Sequence, residues 1–186
     1  MSQFTNDEKK ILLDLADAAI KYGLEHHARL PLKLDEYPKK LCALGASFVT
    51  LELDGNLRGC IGSLEAYQPL IKDVAENAYN AAFSDPRFYP LQKNEYSRLT
   101  KHISVLSKPE SMYFTSEADL LRQLRPNIDG LILSDDGQRG TFLPAVWESL
   151  PTKELFWQHL KLKAGLPENY WSDTLKVERY TAEMVE

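Results

Sequence analysis

The side chains best suited to chemistry lie in one short segment, residues 57–62, whose sequence is Leu-Arg-Gly-Cys-Ile-Gly. This 57–62 segment places a guanidinium, a thiol and two glycines in what otherwise reads as a β-strand. Glycine weakens a strand interior, so Gly59 and Gly62 indicate a bulge or a close approach of another backbone. Arg58 and Cys60 are two residues apart and would share one face of a regular strand. That pair predicts an anion contact or a more reactive thiol.

Cys60 has two interpretations. A lone cysteine among apolar neighbours is commonly a small buried hydrophobe. The alternative is a reactive thiol assisted by Arg58 or Arg87, and a nucleophilic thiol normally has a histidine as its base. None of the four histidines stands in a recognisable catalytic motif. His102 is the most suitable partner, because it opens a predicted strand.

Two other clusters carry polar groups next to predicted turns. In Asp85-Pro86-Arg87-Phe88, the carboxylate is expected to orient Arg87, or simply to cap a turn and form a local ion pair. Arg139-Gly140-Thr141 repeats the arginine-glycine pair of the 57–62 segment just after a second turn.

One interpretation of these arginines is that they bind a small anionic ligand. If both hairpins meet, Arg58, Arg87 and Arg139 would form an anion-binding cluster. Gly59 and Thr141 would then add contacts to the same ligand. The competing reading is that each arginine pairs with a carboxylate at the protein surface.

The elements that must position these residues follow from turn and cap signals. Thr5 and Glu8 predict a capping box for a first helix, which Gly23 or Leu30-Pro31 would end. Asp54-Gly55 predicts a hairpin over residues 46–62. A helix beginning at Pro69 should stop at Ser84, before Asp85-Pro86.

The second half of the chain alternates strands and helices in the same way. We expect a strand at residues 102–107, a helix from Ser116 to about 124, and a second hairpin over 128–142 with Asp136-Gly137 at its turn. Thr152 should cap a further helix, and a last strand should cover about 175–181. This order predicts an α+β protein with two layers: mainly antiparallel sheets that carry helices on one face.

Composition limits the class of protein. The chain has 186 residues, 44% hydrophobic and 26% charged, as expected of a soluble globular protein. A net charge of -5 argues against a nucleic-acid-binding protein, which would need a basic surface. Two cysteines are too few for a disulfide framework, and no ligand spacing such as HExxH or CxxC identifies a metal, although the sequence leaves a site assembled across the fold open. We name no metal and no cofactor from the sequence. The polar N-terminus and the lack of a long apolar run predict a cytoplasmic protein without a membrane span.

Five segments occur in a distinctive order along the chain: LRGCIG at 57–62, DPRF at 85–88, HISVLS at 102–107, RGTFLPAVW at 139–147 and HLKLKAGL at 159–166. Together they resemble the AMMECR domain family, whose prokaryotic members are called AmmeMemoRadiSam system protein A. The resemblance implies one α+β domain over residues 1–186 with a larger and a smaller subdomain. We place the smaller one at about residues 55–105.

The resemblance implies an association with other proteins and does not imply a particular activity. The family name records an association with a Memo-like protein, related in fold to non-haem iron dioxygenases, and with a radical-SAM protein. We therefore expect a cytosolic accessory or small-molecule-handling protein with its site at the 57–62 segment. Two alternatives stay open: an enzyme that uses Cys60 as a nucleophile or redox thiol, and a regulatory interaction module. The sequence leaves enzymatic activity and the oligomeric state undecided.

Overall fold

A long helix, α1 (Asn6–His26), opens the computed structural model, which describes residues 2–186. The predicted capping box is present: the Thr5 hydroxyl accepts a hydrogen bond from the Glu8 N–H at 3.2 Å, and the Glu8 carboxylate accepts one from the Thr5 N–H at 2.8 Å. The helix does not end at either predicted place. It ends where His27 adopts a left-handed conformation (φ 52°) and donates its N–H to the carbonyl of Gly23.

The remaining helices and strands follow in chain order: β1 (Leu44–Leu53), β2 (Asn56–Gly62), β3 (Gln68–Pro69), α2 (Leu70–Phe83), β4 (Leu99–Leu106), β5 (Glu110–Ser111), α3 (Glu117–Gln123), β6 (Gly130–Asp135), β7 (Gln138–Phe142), α4 (Lys153–Lys163), β8 (Lys176–Tyr180) and β9 (Ala182–Val185).

The first unit consists of two stretches of the chain: the part up to Leu106 and the C-terminal residues Glu183–Glu186. Its sheet has the order β2-β1-β4-β9, and β3 pairs with the start of β1. Both β2 and β4 are antiparallel to β1. Helices α1 and α2 pack on one face, where Leu12, Val49 and Ile103 are fully buried. We call the opposite face of this sheet the open face.

The second unit, Ser107–Ala182, has its own sheet and core. The strand order is β5-β8-β6-β7, and the neighbouring strands are antiparallel. The rings of Trp147 and Phe156 stack with centroids 3.9 Å apart. Both predicted hairpin turns form, because the residues at Asp54-Gly55 and Asp136-Gly137 all have positive φ.

The predicted fold class is confirmed: antiparallel sheets carry helices in a mixed α+β arrangement. The division between the units falls elsewhere than the sequence indicated, since the smaller unit is Ser107–Ala182. Residues 55–105 lie inside the larger unit, because β2 and β4 both pair with β1. The predicted strand at about 175–181 is present as β8, and a further strand that was not predicted, β9, follows it and joins the first sheet. No helix within residues 2–186 is both long and apolar enough to cross a membrane.

Candidate functional site

A β-bulge at Arg58 organises the 57–62 segment. Along the β1–β2 pair, Glu52 lies opposite Leu57, whereas Leu51 lies opposite Gly59, so Arg58 is the extra residue. A bulge re-aims the side chain of its extra residue. The sequence expectation of a bulge or a close approach is met on both counts, because a Cβ on Gly59 would lie 2.0 Å from the Ala81 carbonyl oxygen of α2.

Cys60 lies on the open face of the first sheet. It pairs with Thr50, whose neighbours Val49 and Leu51 point into the core on the other side. The thiol is half-buried and belongs to neither hydrophobic core. The Thr50 hydroxyl donates a hydrogen bond to the Cys60 sulfur at 3.2 Å. The reading of Cys60 as a core hydrophobe therefore does not fit its surroundings.

The free edge of β2 is held by side chains rather than by another strand. Asp85 accepts a hydrogen bond from the backbone N–H of Cys60 at 2.9 Å, and Arg87 donates one to the Cys60 carbonyl at 3.3 Å. Arg87 and Asp85 are themselves joined by two side-chain hydrogen bonds of 2.8 and 3.0 Å. Asp85 thus orients Arg87 and also forms the local ion pair with it, so this contact fits both predicted roles, and both side chains fix the backbone of Cys60.

The Asp85 carboxylate stays ionised in this arrangement. Its side chain is only 2% exposed. The hydrogen bond from Arg87 holds the pKa of the Asp85 carboxyl well below its usual range, and the N–H of Cys60 adds to the effect while burial opposes it. A buried anion and a half-exposed cation therefore flank the thiol-bearing strand.

Arg58 forms an ion pair that the sequence did not reveal. Its Nε and Nη2 donate to the two carboxylate oxygens of Glu95 at 2.8 and 3.1 Å, and Nη2 also donates to the Tyr89 carbonyl at 2.8 Å. The hydrogen bond from Arg58 lowers the pKa of Glu95 against the effect of burial. Within residues 2–186, Nη1 of Arg58 is a buried nitrogen without a hydrogen-bond partner. The positive charge of Arg58 is thus paired with Glu95, and one nitrogen with its two N–H donors is left without an acceptor among the described residues.

His102 lies in register with the thiol, one strand beyond Thr50. Thr50 pairs with Cys60 on β2 and with His102 on β4, so all three side chains share the open face. Two strand spacings separate Cys60 from His102, on the order of 10 Å. The imidazole is flanked by carboxylate oxygens of Glu52 at 3.5 Å and Glu186 at 3.3 Å.

No metal site stands out near these groups. Within residues 2–186, no three histidine, cysteine or acidic side chains are grouped so that they could hold an ion. The functional groups at the 57–62 segment itself are the Cys60 thiol, the Thr50 hydroxyl and the guanidinium groups of Arg58 and Arg87, each paired with a carboxylate.

Comparison with known proteins decides the family. The sequence model described as AMMECR1 matches residues 13–185. The chain belongs to the AMMECR1 family. A Methanothermobacter thermautotrophicus protein is 36% identical over 97% of this chain and 94% of its own length. A Methanocaldococcus jannaschii protein is 34% identical over 100% and 93%. The crystal structure of the uncharacterised protein PH0010 from Pyrococcus horikoshii superimposes with a TM-score of 0.84 and 30% identity, covering 98% of this chain and 93% of that one.

Two of the predicted site residues in this AMMECR1-family chain belong to the second unit. Arg139 lies on β7 opposite Ser134 and lines a pocket of about 850 Å³ with Asp135 and Tyr170. Thr141 is half-buried, and its hydroxyl lies 3.2 Å from that of Tyr180. The joint cluster of Arg139 and Thr141 with Arg58 and Arg87 stays a prediction.

The KLKAGL part of the family pattern contains a buried charge. Lys161 is 1% exposed and donates to Glu117 at 2.7 Å and to the Tyr170 carbonyl at 3.3 Å. The Trp157 indole also donates to Glu117 at 2.7 Å. Lysines at the C-terminal end of a helix are usually explained by their favourable interaction with the helix dipole. The main interaction of Lys161 is instead its ion pair with Glu117. Nothing in a single sequence distinguishes this lysine from Lys163, which is exposed.

A second polar group lies on the helix side of the first sheet. The buried carboxylate of Asp73 in α2 accepts hydrogen bonds from Ser47, Ser63, Gln68 and Asn77. Four different side chains thus satisfy an anion that has no basic partner within residues 2–186. The sequence pattern of α2 alone does not show that Asp73 lies on its buried face.

Proposed function

We propose that this protein handles a small anionic molecule at the 57–62 segment, with the Cys60 thiol as its reactive contact. One observation carries the proposal: all three polar groups of Cys60 are held. Its N–H is bonded to Asp85, its carbonyl to Arg87 and its sulfur to Thr50. Reactive groups work best when neighbouring side chains fix their geometry.

An anionic ligand is supported by the guanidinium groups next to the thiol. Arg58 has a buried Nη1 without an acceptor, and a native buried donor of this kind calls for an explanation such as a bound group. Arg87 is half-exposed, with 54% of its side chain accessible, and its pairing with Asp85 leaves further N–H groups for a ligand oxygen. The contribution of Gly59 is its lack of a side chain, which lets β2 approach α2.

A partner protein completes the proposal. Membership of the AMMECR1 family makes a Memo-like protein and a radical-SAM protein the partners to test first. In that setting the chain is a cytosolic accessory that receives or presents a small molecule. Tyr89, whose backbone carbonyl accepts a hydrogen bond from Arg58 and which is 90% exposed, gives such a partner an aromatic contact.

Thiol labelling tests the role of Cys60 directly, because the chain has only two cysteines. The variant Cys42→Ser leaves Cys60 alone, and Cys60→Ser leaves Cys42 as the matched control. We expect iodoacetamide to label Cys60 in the folded protein near neutral pH, and Thr50→Val to change that rate. A Cys60 that reacts only after unfolding would contradict the proposal.

Ligand and partner binding test the rest. Small anions extracted from cells should slow the labelling of Cys60, and Arg87→Gln should weaken that protection. Co-purification with a Memo-like or radical-SAM protein should be lost in Cys60→Ala and kept in Cys42→Ala. Unchanged partner binding, together with no protecting ligand, would refute the proposed function.

A second candidate is an enzyme with Cys60 as a nucleophile or redox thiol. A nucleophilic thiol needs a base, and the predicted one, His102, shares the face of Cys60 but lies two strand spacings away, on the order of 10 Å, which is beyond direct hydrogen-bond reach. If His102 serves as that base, His102→Gln should change the pH profile of Cys60 labelling. A profile that the substitution leaves unchanged would favour binding without catalysis.

A further inference from the structure

A separate pocket lies in the first unit between the segment that follows α1 and one face of α2. It has a volume of about 370 Å³ and is lined mainly by Leu30, Pro31, Leu32, Leu34 and Ala75. Leu34 keeps 45% of its surface exposed. Binding sites for small molecules usually have about 300–1,000 Å³, an apolar lining and a few polar groups. This pocket meets that description.

Two cations, Arg29 and Lys72, stand among the same lining residues. Both are exposed, and neither forms an ion pair with another group among residues 2–186. The acidic residue of the pocket, Glu76, already accepts a hydrogen bond from Gln68 at 3.0 Å. The neutral Gln68 amide leaves the charge of Glu76 in place, so two cations against one carboxylate give the lining an excess of one positive charge beside an apolar floor.

Arg29 is held in place on the pocket wall. Its Nη2 donates to the side-chain oxygen of Asn80 at 3.2 Å, and its guanidinium lies over the Tyr79 ring at 5.7 Å. A guanidinium has five N–H donors, so most of them remain for a ligand. A cation that is already oriented loses less entropy when it binds a carboxylate.

We propose that this pocket binds a small amphipathic carboxylate: a molecule with a short apolar body and one carboxylate group. The apolar body would contact Leu30, Leu32 and Ala75, while the carboxylate would pair with Arg29 and Lys72. Charge complementarity selects this class over neutral or cationic molecules with the same apolar body. The site is separate from the 57–62 segment and does not depend on the function proposed there.

Titrations with octanoate, 1-octanol and octylammonium test the proposal, since these probes share one chain and differ in head-group charge. We expect saturable binding of octanoate, with the largest NMR shifts at the methyl groups of Leu30, Leu32 and Leu34. Octanol should bind about tenfold more weakly, and octylammonium should not bind measurably.

Three variants distinguish specific binding in this pocket from a general attraction of anions to positive charge. Arg29→Gln and Lys72→Gln should each weaken octanoate binding about tenfold. Lys33→Gln is the matched control: it removes an equal charge from the same segment, and its side chain is 78% exposed and lies 3.7 Å from Glu36. Thermal unfolding should be the same for all three.

Several results would overturn the proposal. Equal binding of the three probes would indicate apolar contact only, and equal losses in Lys33→Gln would indicate general charge attraction. A leucine-rich acidic peptide that shifts the same methyl groups when octanoate does not would assign the pocket to a partner protein.

Discussion

Gly59 is a point of close contact between β2 and α2. A Cβ at this position would lie 2.0 Å from the backbone oxygen of Ala81, and backbone atoms cannot move aside as a side chain can. We expect Gly59→Ala to lower the free energy of unfolding by roughly 2–3 kcal/mol through overpacking. Urea denaturation followed by circular dichroism measures this loss.

The control for Gly59 lies in the same hairpin. Gly55 has φ 82°, no atom lies within 4 Å of the place that a Cβ would occupy there, and asparagine tolerates that conformation. Gly55→Asn should therefore change stability by less than about 1 kcal/mol. Equal losses in both variants would show that the hairpin, rather than the contact with Ala81, is sensitive to substitution.

Asp85 and Glu95 make stability depend on pH in a defined direction. Hydrogen bonds from Arg87 and Arg58 lower their folded-state pKa values below the unfolded values of about 3.9 and 4.3. Their stabilisation is thus complete above about pH 5, and it is lost as the pH falls below about 4 through the lowered folded-state pKa values.

The variant Asp85→Asn removes one of these contributions. We expect it to cost roughly 2 kcal/mol at pH 7, because a charged hydrogen-bond acceptor is lost, and to cost less as the pH approaches 2. Denaturant unfolding at several pH values measures both effects. Pro86→Ala, an uncharged change at the neighbouring exposed residue, should leave the pH dependence as in the wild type. A cost for Asp85→Asn that is equal at pH 7 and pH 2 would contradict the assigned pKa direction.

The β1–β2 hairpin shows what a sequence can and cannot predict about this site. Its turn was predictable, because Asp54-Gly55 suits two residues with positive φ. A regular two-residue hairpin would then place Cys60 opposite Val49, on the core face. The bulge at Arg58 shifts the register by one residue, so Cys60 pairs with Thr50 and lies on the open face.

Local signals fixed the ends of elements better than the contacts between them. The caps at Thr5, Ser116 and Thr152 all form as predicted, since each depends on residues three apart in sequence. The partner of Arg58 could not be predicted, because Glu95 is 37 residues away and belongs to no motif. For the same reason, the burial of Lys161 beside Glu117 follows only from the packing of α4 on α3.

Helix α2 is joined to the first sheet by the buried hydrogen bonds of Asp73. The carboxylate accepts from the backbone N–H and the hydroxyl of Ser47 on β1, both at 2.7 Å, and from Asn77 at 2.9 Å. Asp73→Ala would leave these donors buried without an acceptor, so we expect a loss of at least about 3 kcal/mol in unfolding free energy. Chemical denaturation measures it.

The adjacent residue supplies the control for Asp73. Lys72→Ala changes an exposed position on the same helix and should stay within about 0.5 kcal/mol of the wild type. Asp73→Asn keeps one acceptor oxygen, so its loss in the free energy of unfolding should lie between those of Lys72→Ala and Asp73→Ala. A loss below about 1 kcal/mol in Asp73→Ala would mean that water satisfies these donors.

At the scale of the whole molecule, the two units differ in how the chain builds them. The first needs the far end of the chain, because Val185 of β9 is fully buried in its core and Lys9 pairs with Glu183 at 3.0 Å. The second is one continuous stretch with a separate core. Its ends are joined to each other: Ser107 donates its N–H to the Thr181 carbonyl at 2.8 Å, and the Thr181 N–H donates back to the Ser107 hydroxyl at 2.8 Å.

We therefore expect a fragment of residues 107–182 to fold alone. A chain of this size can form a stable core, although with a small margin, and Trp147 and Phe156 stack at the centre of this one. Dispersed NMR spectra and cooperative thermal unfolding of the fragment would confirm it. Trp147→Ala is the control, since it should remove about 3–5 kcal/mol and leave the fragment unfolded. An unfolded wild-type fragment, alongside a folded full chain, would show that the core of the second unit depends on residues outside 107–182.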